Sequence, residues 1–187
     1  VNFKVAEAEQ LNGMFSGCSA ITELDLSNFE TRYVRDMGHM FYNCKNLKNI
    51  KIDKALFITR NVESMNDMFW GCNSLTFFDF SGFDTSSVKS MDRMFYSCIT
   101  FEEIDISSFD TTNLVMMNQM FYNCQNLRKI IFSDNFETIH VTEMYSAFGN
   151  CPNLESLDLS SFQLTRVQNA QSLFEGCSNL KEIKFNK

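Results

Sequence analysis

Between Phe83 and Cys98 the apolar positions are Val88, Met91, Met94, Phe95 and Cys98, at spacings of three, three, one and three that keep to one helical face. This half predicts a short helix, with Thr85 or Ser86 at its N-cap and Asp84 beside its positive end. The residue before each cysteine is Gly17, Asn43, Gly71, Ser97, Asn123, Asn150 or Gly176. All but Ser97 are types that tolerate the left-handed backbone closing a helix. Past the cysteine the apolar period shortens to two: Leu24 with Leu26, Ile50 with Ile52, Phe78 with Phe80, Ile104 with Ile106, Ile130 with Phe132, Leu157 with Leu159, Ile183 with Phe185. Period two predicts a brief strand. Ser27, Asp53, Ser81, Ser107, Ser133 and Ser160 follow it, residue types that bond their own backbone in a turn.

The two halves recur together. The phrase Met-Phe-x-x-Cys appears at Met14, Met40, Met68, Met94 and Met120, then altered as Ala147-Phe148-Cys151 and Leu173-Phe174-Cys177. Successive cysteines are 26, 28, 26, 26, 27 and 26 residues apart. Units of this size cannot bury an apolar face alone and become stable by stacking. The expected fold is an α/β solenoid: a leucine-rich-repeat-like, right-handed stack of seven strand-helix units, with a parallel sheet on one face and short helices on the other. Residues 1–187 read as a single repeat domain whose units start at about 3, 29, 57, 83, 109, 136 and 162. The two longer units carry their extra residues at Lys54-Ala55 and Asp134-Asn135, where they are expected to bulge a turn without disturbing the stack. Neither end has a polar capping unit, and no initiator methionine is present, so the chain reads as a fragment of a longer protein.

Composition narrows the class. With 44% hydrophobic residues, 20 Phe and 11 Met, a packed core is expected and disorder is not. A net charge of −7 gives no basic stripe for a phosphate backbone, which excludes nucleic acid as the expected partner. No apolar run approaches the roughly 18 residues that span a bilayer, and Val1-Asn2-Phe3-Lys4 has no signal-like stretch. One cysteine per unit at constant phase predicts a column of parallel side chains about 4.8 Å apart, poorly disposed for disulfide torsion. Reduced, core-packed thiols are expected, and seven is an odd number.

Leu-Asp-Leu-Ser-Asn-Phe-Glu-Thr at 24–31, Met-Phe-Tyr-Asn-Cys-Lys-Asn-Leu at 40–47 and Phe-Asp-Thr-Ser-Ser-Val-Lys-Ser-Met at 83–91 together resemble the bacterial surface-protein 26-residue repeat, the BspA-like leucine-rich repeats. The resemblance spans the chain. It implies an extracellular, cell-surface location and adhesion or host interaction through a protein or glycan ligand, as in secreted proteins and lipoproteins of bacteria; it brings no catalytic residues and no cofactor. Lys51, Lys184 and Ile131 depart from the family's strand aspartate, and Ala147 and Ala170 from its methionine.

Two columns are candidate binding surfaces. Outward along the strands lie Asp25, Lys51, Asp79, Asp105, Ile131, Asp158 and Lys184, flanked by Phe77, Glu103 and Lys129 among others. A solvated charged face is the plain reading, but Phe77 and Ile131 are apolar where a polar sheet meets water, as contact anchors are. Calcium fits poorly, because Lys51 breaks the aspartate row and no ligand loop is present. The second column is Tyr42, Trp70, Tyr96 and Tyr122, one step past the inward Phe; such rings either stack on sugar or anchor a partner, or pack repeat on repeat. His39 and His140 fall at unrelated phases of the repeat, with no zinc spacing, and no enzyme is expected. The expected function is a non-catalytic binding module; the alternatives are a structural spacer array or an intracellular protein-interaction repeat.

Overall fold

The computed structural model describes residues 5–134 and 136–185; the unit start at Phe3 and the residue Asn135 lie outside them. Among the described residues there are six four-residue strands: β1 (Glu23–Leu26), β2 (Asn49–Ile52), β3 (Glu103–Ile106), β4 (Lys129–Phe132), β5 (Ser156–Leu159) and β6 (Glu182–Phe185). No helix occurs among the described residues. The fold is a β-solenoid of about six turns, which corrects the expected seven strand-helix units.

The reason lies in spacing. Stacked strands advance by about 4.8 Å per coil, whereas packed helices need 8–10 Å. The segment Met37–Cys44 meets the smaller advance with three interlocked turns, Met40 N–H to Met37 O (3.3 Å), Tyr42 to His39 (3.0 Å) and Cys44 to Phe41 (3.1 Å). The alternate N–H groups of His39, Phe41 and Asn43 donate sideways to Asn66, Met68 and Trp70 of the next coil, at 2.8, 2.9 and 2.7 Å. Two of the turns need a left-handed third residue, supplied here by His39 and Asn43, both at φ 55°. The residue before the cysteine is left-handed in all seven units, Ser97 included. A second left-handed column runs through Gly13, His39, Asp67, Arg93, Gln119, Ser146 and Ser172. Met37, Met40, Phe41 and Cys44 remain buried, because these interlocked turns and a helix bury the same spacing. Thr85 is no N-cap: its buried hydroxyl donates to Asp110 O of the next coil (2.8 Å), as Thr31, Thr59, Thr111 and Thr138 do in theirs.

The repeated phrase forms the inner wall. Rings of Phe15, Phe41, Phe69, Phe95, Phe121, Phe148 and Phe174 stack with centroids 5.3–6.0 Å apart. Every cysteine from Cys44 onward points its Sγ at the phenylalanine carbonyl of the preceding coil, 2.9–3.2 Å away. All seven thiols are free. Burial, the largest cause, pushes Cys44 up to about 11 and Cys98 well above the ordinary thiol value.

Two hydrogen-bond ladders flank this core. On the turn side, parallel bridges link Gln10, Asp36, Ser64, Ser90, Met116, Glu143 and Asn169 in succession without a gap. On the strand side the expected single sheet is three separate parallel pairs, β1-β2, β3-β4 and β5-β6, in the registers Leu24↔Ile50, Ile104↔Ile130 and Leu157↔Ile183. Two breaks follow the longer units, so their extra residues do more than bulge a turn: they uncouple β2 from the Phe77–Phe80 segment and β4 from β5. That segment forms no strand and pairs with β3 no better than with β2. It directs two rings inward, Phe78 and Phe80, where the other units place at least one aliphatic. Phe80 alone meets Phe69, Phe78, Phe83, Phe95 and Phe109 at 4.8–5.8 Å.

Candidate functional site

Each strand-side aspartate has a local task. Asp25, Asp79, Asp105 and Asp158 accept, through Oδ1, the N–H two residues on (Ser27, Ser81, Ser107, Ser160; 2.9–3.1 Å), closing the turn that leaves the strand. Three use Oδ2 for a lysine one coil away: Lys51 to Asp25 (3.3 Å), Lys54 to Asp79 (2.5 Å) and Lys184 to Asp158 (3.9 Å). Lys129 pairs with Glu103 at 3.2 Å. Lys54 first, then Ser81, holds the Asp79 carboxyl down to about 2, and Ser160 lowers Asp158. Exposed pairs of this kind contribute little each, up to about 1 kcal/mol, so most of the column is a satisfied, solvated face.

Phe77 stands apart from it. Its side chain is 70% exposed, the most exposed large hydrophobic residue among those described. It borders a cleft of about 280 Å³ lined by Thr76, Phe78, Phe80, Thr100, Phe101, Glu102, Glu103, Ile104 and Asp105, directly over the interrupted strand ladder. Ile131, half-buried, lies on a second groove of about 420 Å³ above the β4/β5 break, with Lys129, Asp134, Asp158 and Ser160 around it. The two apolar residues picked out of the charged column thus sit at two breaks in the sheet.

The aromatic column is self-engaged. Tyr42 meets Trp70 edge-on (4.6 Å), Trp70 meets Tyr96 (4.8 Å), and Tyr96 stacks on Tyr122 (5.1 Å), all four half-buried. Arg93 lies 5.6 Å over the Trp70 ring. These edge-to-face and stacked contacts are those of rings packing repeat on repeat.

One constellation escapes a reading along the chain. On the second left-handed column, Asp67 lies between His39 and Arg93, with Arg93 Nε 2.9 Å from Oδ1 and His39 Nε2 3.4 Å from Oδ2. The carboxylate side chain is only 1% exposed. Burial raises its pKa, opposed by Arg93 and His39. A desolvated acid held by a cation is a structural device of the turn column. Its sequence signal was opposite charge at equal phase in neighbouring units, five residues before Cys44, Cys72 and Cys98.

Comparison with known proteins bears on this geometry. Residues 1–76, 49–135 and 103–186 each match the family described as "Mycoplasma protein of unknown function, DUF285". A leucine-rich repeat protein of Bacteroides ovatus, known from its crystal structure, superposes on 94% of this chain with a TM-score of 0.63 at 20% identity. The chain spans 40% of that protein's length. A leucine-rich cell surface protein of Faecalibacterium prausnitzii aligns over 94% of this chain and 62% of its own length, with a TM-score of 0.36 at 15% identity. No curated protein sequence matches.

Proposed function

The chain belongs to the DUF285 family and is of the BspA-like leucine-rich-repeat type, and on that footing we propose that it is a non-catalytic interaction module binding a protein or glycan through its strand side. The observation that supports this most directly is Phe77, a large ring 70% exposed over a preformed cleft. Solenoids present their binding residues on such repeated faces, and binding energy concentrates in a few anchors surrounded by near-neutral polar contacts. Asp25, Lys51, Asp79, Glu103, Asp105, Lys129 and Asp158 form those surroundings, and Ile131 is the second anchor. The location is proposed as the cell surface, from the family resemblance, with adhesion to a host ligand as the use. No helix among the described residues is long and apolar enough to cross a membrane.

A spacer array is the second reading, favoured by the satisfied ion pairs along most of the face. The two separate in a binding screen of the immobilised protein against extracellular matrix proteins and glycans. The interaction module predicts at least one binder, weakened about tenfold or more by Phe77→Ser with Ile131→Ser. It predicts near-wild-type affinity for Trp70→Ala with Tyr96→Ala, in a protein of lower stability. No binder at all would leave the spacer; loss with the aromatic pair alone would move the site to the other column.

A further inference from the structure

The chemistry of the Phe77 cleft narrows what could occupy it. No lysine or arginine lines the cleft or its continuation past Asp79, Ser81 and Ser108. Four carboxylates do: Glu102, Glu103 and Asp105 in the cleft, and Asp79, held by Lys54, in its continuation. Glu103 is engaged by Lys129, whereas Glu102 and Asp105 form no ion pair, and neither does any other cation of the described chain reach them. The other strand-side aspartates Asp25, Asp79 and Asp158 each have a lysine. The Ile131 groove likewise contains its own cation, Lys129. At Phe77 an open aromatic face adjoins carboxylates without a lysine or arginine partner.

The cleft also has a limited width. Thr100 Oγ1 donates to Leu75 O at 2.7 Å and Ser108 Oγ to Phe80 O at 2.9 Å, so neighbouring coils are pinned together at both ends of the Phe77 segment. A whole added strand, which needs about 4.8 Å of spacing on each side, does not insert. A single long side chain lying on the ring does fit such a shallow space.

We propose that the Phe77 cleft takes an arginine side chain projecting from a protein partner. The methylene stem covers Phe77 and the Phe78/Phe101 wall. The planar guanidinium lies over the ring face and donates to the carboxylates of Glu102 and Asp105. Arginine suits this lining better than lysine, because it stacks on aromatic rings, forks to two oxygens and is weakly hydrated. The net charge of −7 draws a cationic partner toward this surface at long range. This inference rests on the strand-side binding reading and gives it a partner chemistry.

The test is a titration of ¹⁵N-labelled protein with acetyl-Gly-Arg-Gly-amide, with the citrulline peptide, equal in shape but uncharged, and with the lysine peptide. The expected result is saturable shifts at Phe77, Glu102 and Asp105 with the arginine peptide, about tenfold tighter than with citrulline, and weaker with lysine. Glu102→Gln with Asp105→Asn removes the preference for arginine, while Phe77→Ser weakens all three peptides; asparagine keeps the Asp105 turn bond to Ser107. Equal shifts from arginine and citrulline, or shifts elsewhere, overturn the proposal. The two levels fail separately. A binder from the matrix screen that needs Phe77 but ignores Glu102→Gln with Asp105→Asn overturns the arginine anchor and leaves the face. A screen without any binder overturns the face, and the peptide titration still decides the cleft.

Discussion

Gln119 adopts φ 52° in the second left-handed column, with its N–H bonded to Tyr145 O of the next coil at 2.8 Å. Replacing it by alanine and by glycine removes the same side chain, so the difference between the two variants isolates the backbone. In a helix, alanine is the more stable by about 0.8–1 kcal/mol. In the left-handed conformation an L-residue is strained by about 1–2 kcal/mol, while glycine's greater freedom when unfolded costs about 0.5–1 kcal/mol. Gln119→Gly should therefore exceed Gln119→Ala by about 0.5–1 kcal/mol, opposite in sign to the helical case. At about 2–4 °C per kcal/mol for a chain of this size, the glycine variant melts about 1–4 °C higher. Urea unfolding of both variants followed by circular dichroism, with equal m-values as the check on a common unfolded state, measures it. An alanine variant more stable than the glycine variant would refute the interlocked turns as the element at Met117–Cys124.

Other consequences of the stack can be measured in the same way. Thr85→Val keeps shape but leaves the Asp110 carbonyl without the Thr85 hydroxyl, so a loss of about 1–2 kcal/mol is expected; the exposed Thr112→Val should stay within about 0.5 kcal/mol of wild type. Asp79 has its folded pKa depressed to about 2 from 3.8, so its contribution is complete above pH 4 and is lost as pH falls toward 2. Asp79→Asn should flatten acid destabilisation in that window, read from urea midpoints at pH 2–5. Thiol titration should give slow native reaction at the five buried cysteines, Cys44, Cys72, Cys98, Cys124 and Cys151, faster reaction at the partly exposed Cys18 and Cys177, and seven fast thiols after denaturation without reductant, because buried thiols are protonated and inaccessible; fewer than seven would indicate a disulfide.

The period, the apolar columns and the reduced cysteines could be read from residue types, because stacking makes one position per unit inward for the whole chain. Met37, Met40, Phe41 and Cys44 could not tell a helix from interlocked turns, since both bury that spacing. What decides between them is the sideways donation of alternate N–H groups, and backbone bonds leave no mark on side-chain identity. Asn43 and Gly71 announced their left-handed backbone; His39, Arg93 and Gln119 did not, because their neighbours impose it. Phe77 was visible as a ring in a charged column. Its cleft was not, since its two walls, residues 76–80 and 100–105, are a full coil apart in the chain. The Asp67 cluster was hidden because its members lie 26 and 28 residues apart.

The unequal ladders also bear on mechanics. The turn-side bridges run unbroken from Gln10 to Asn169, while the strand side is already severed around Phe77 and between β4 and β5. The molecule resembles a bound book, with a sewn spine and pages gathered in pairs. Bending about the spine parts the strand side at these gaps without breaking a ladder bond, stretching at the Phe77 cleft only the Thr100–Leu75 and Ser108–Phe80 side-chain bonds, whereas bending the opposite way stretches every spine bridge. Compliance is therefore one-directional and is concentrated at the two clefts, so that a tensile load which flexes the stack would alter their width before it unravels any coil.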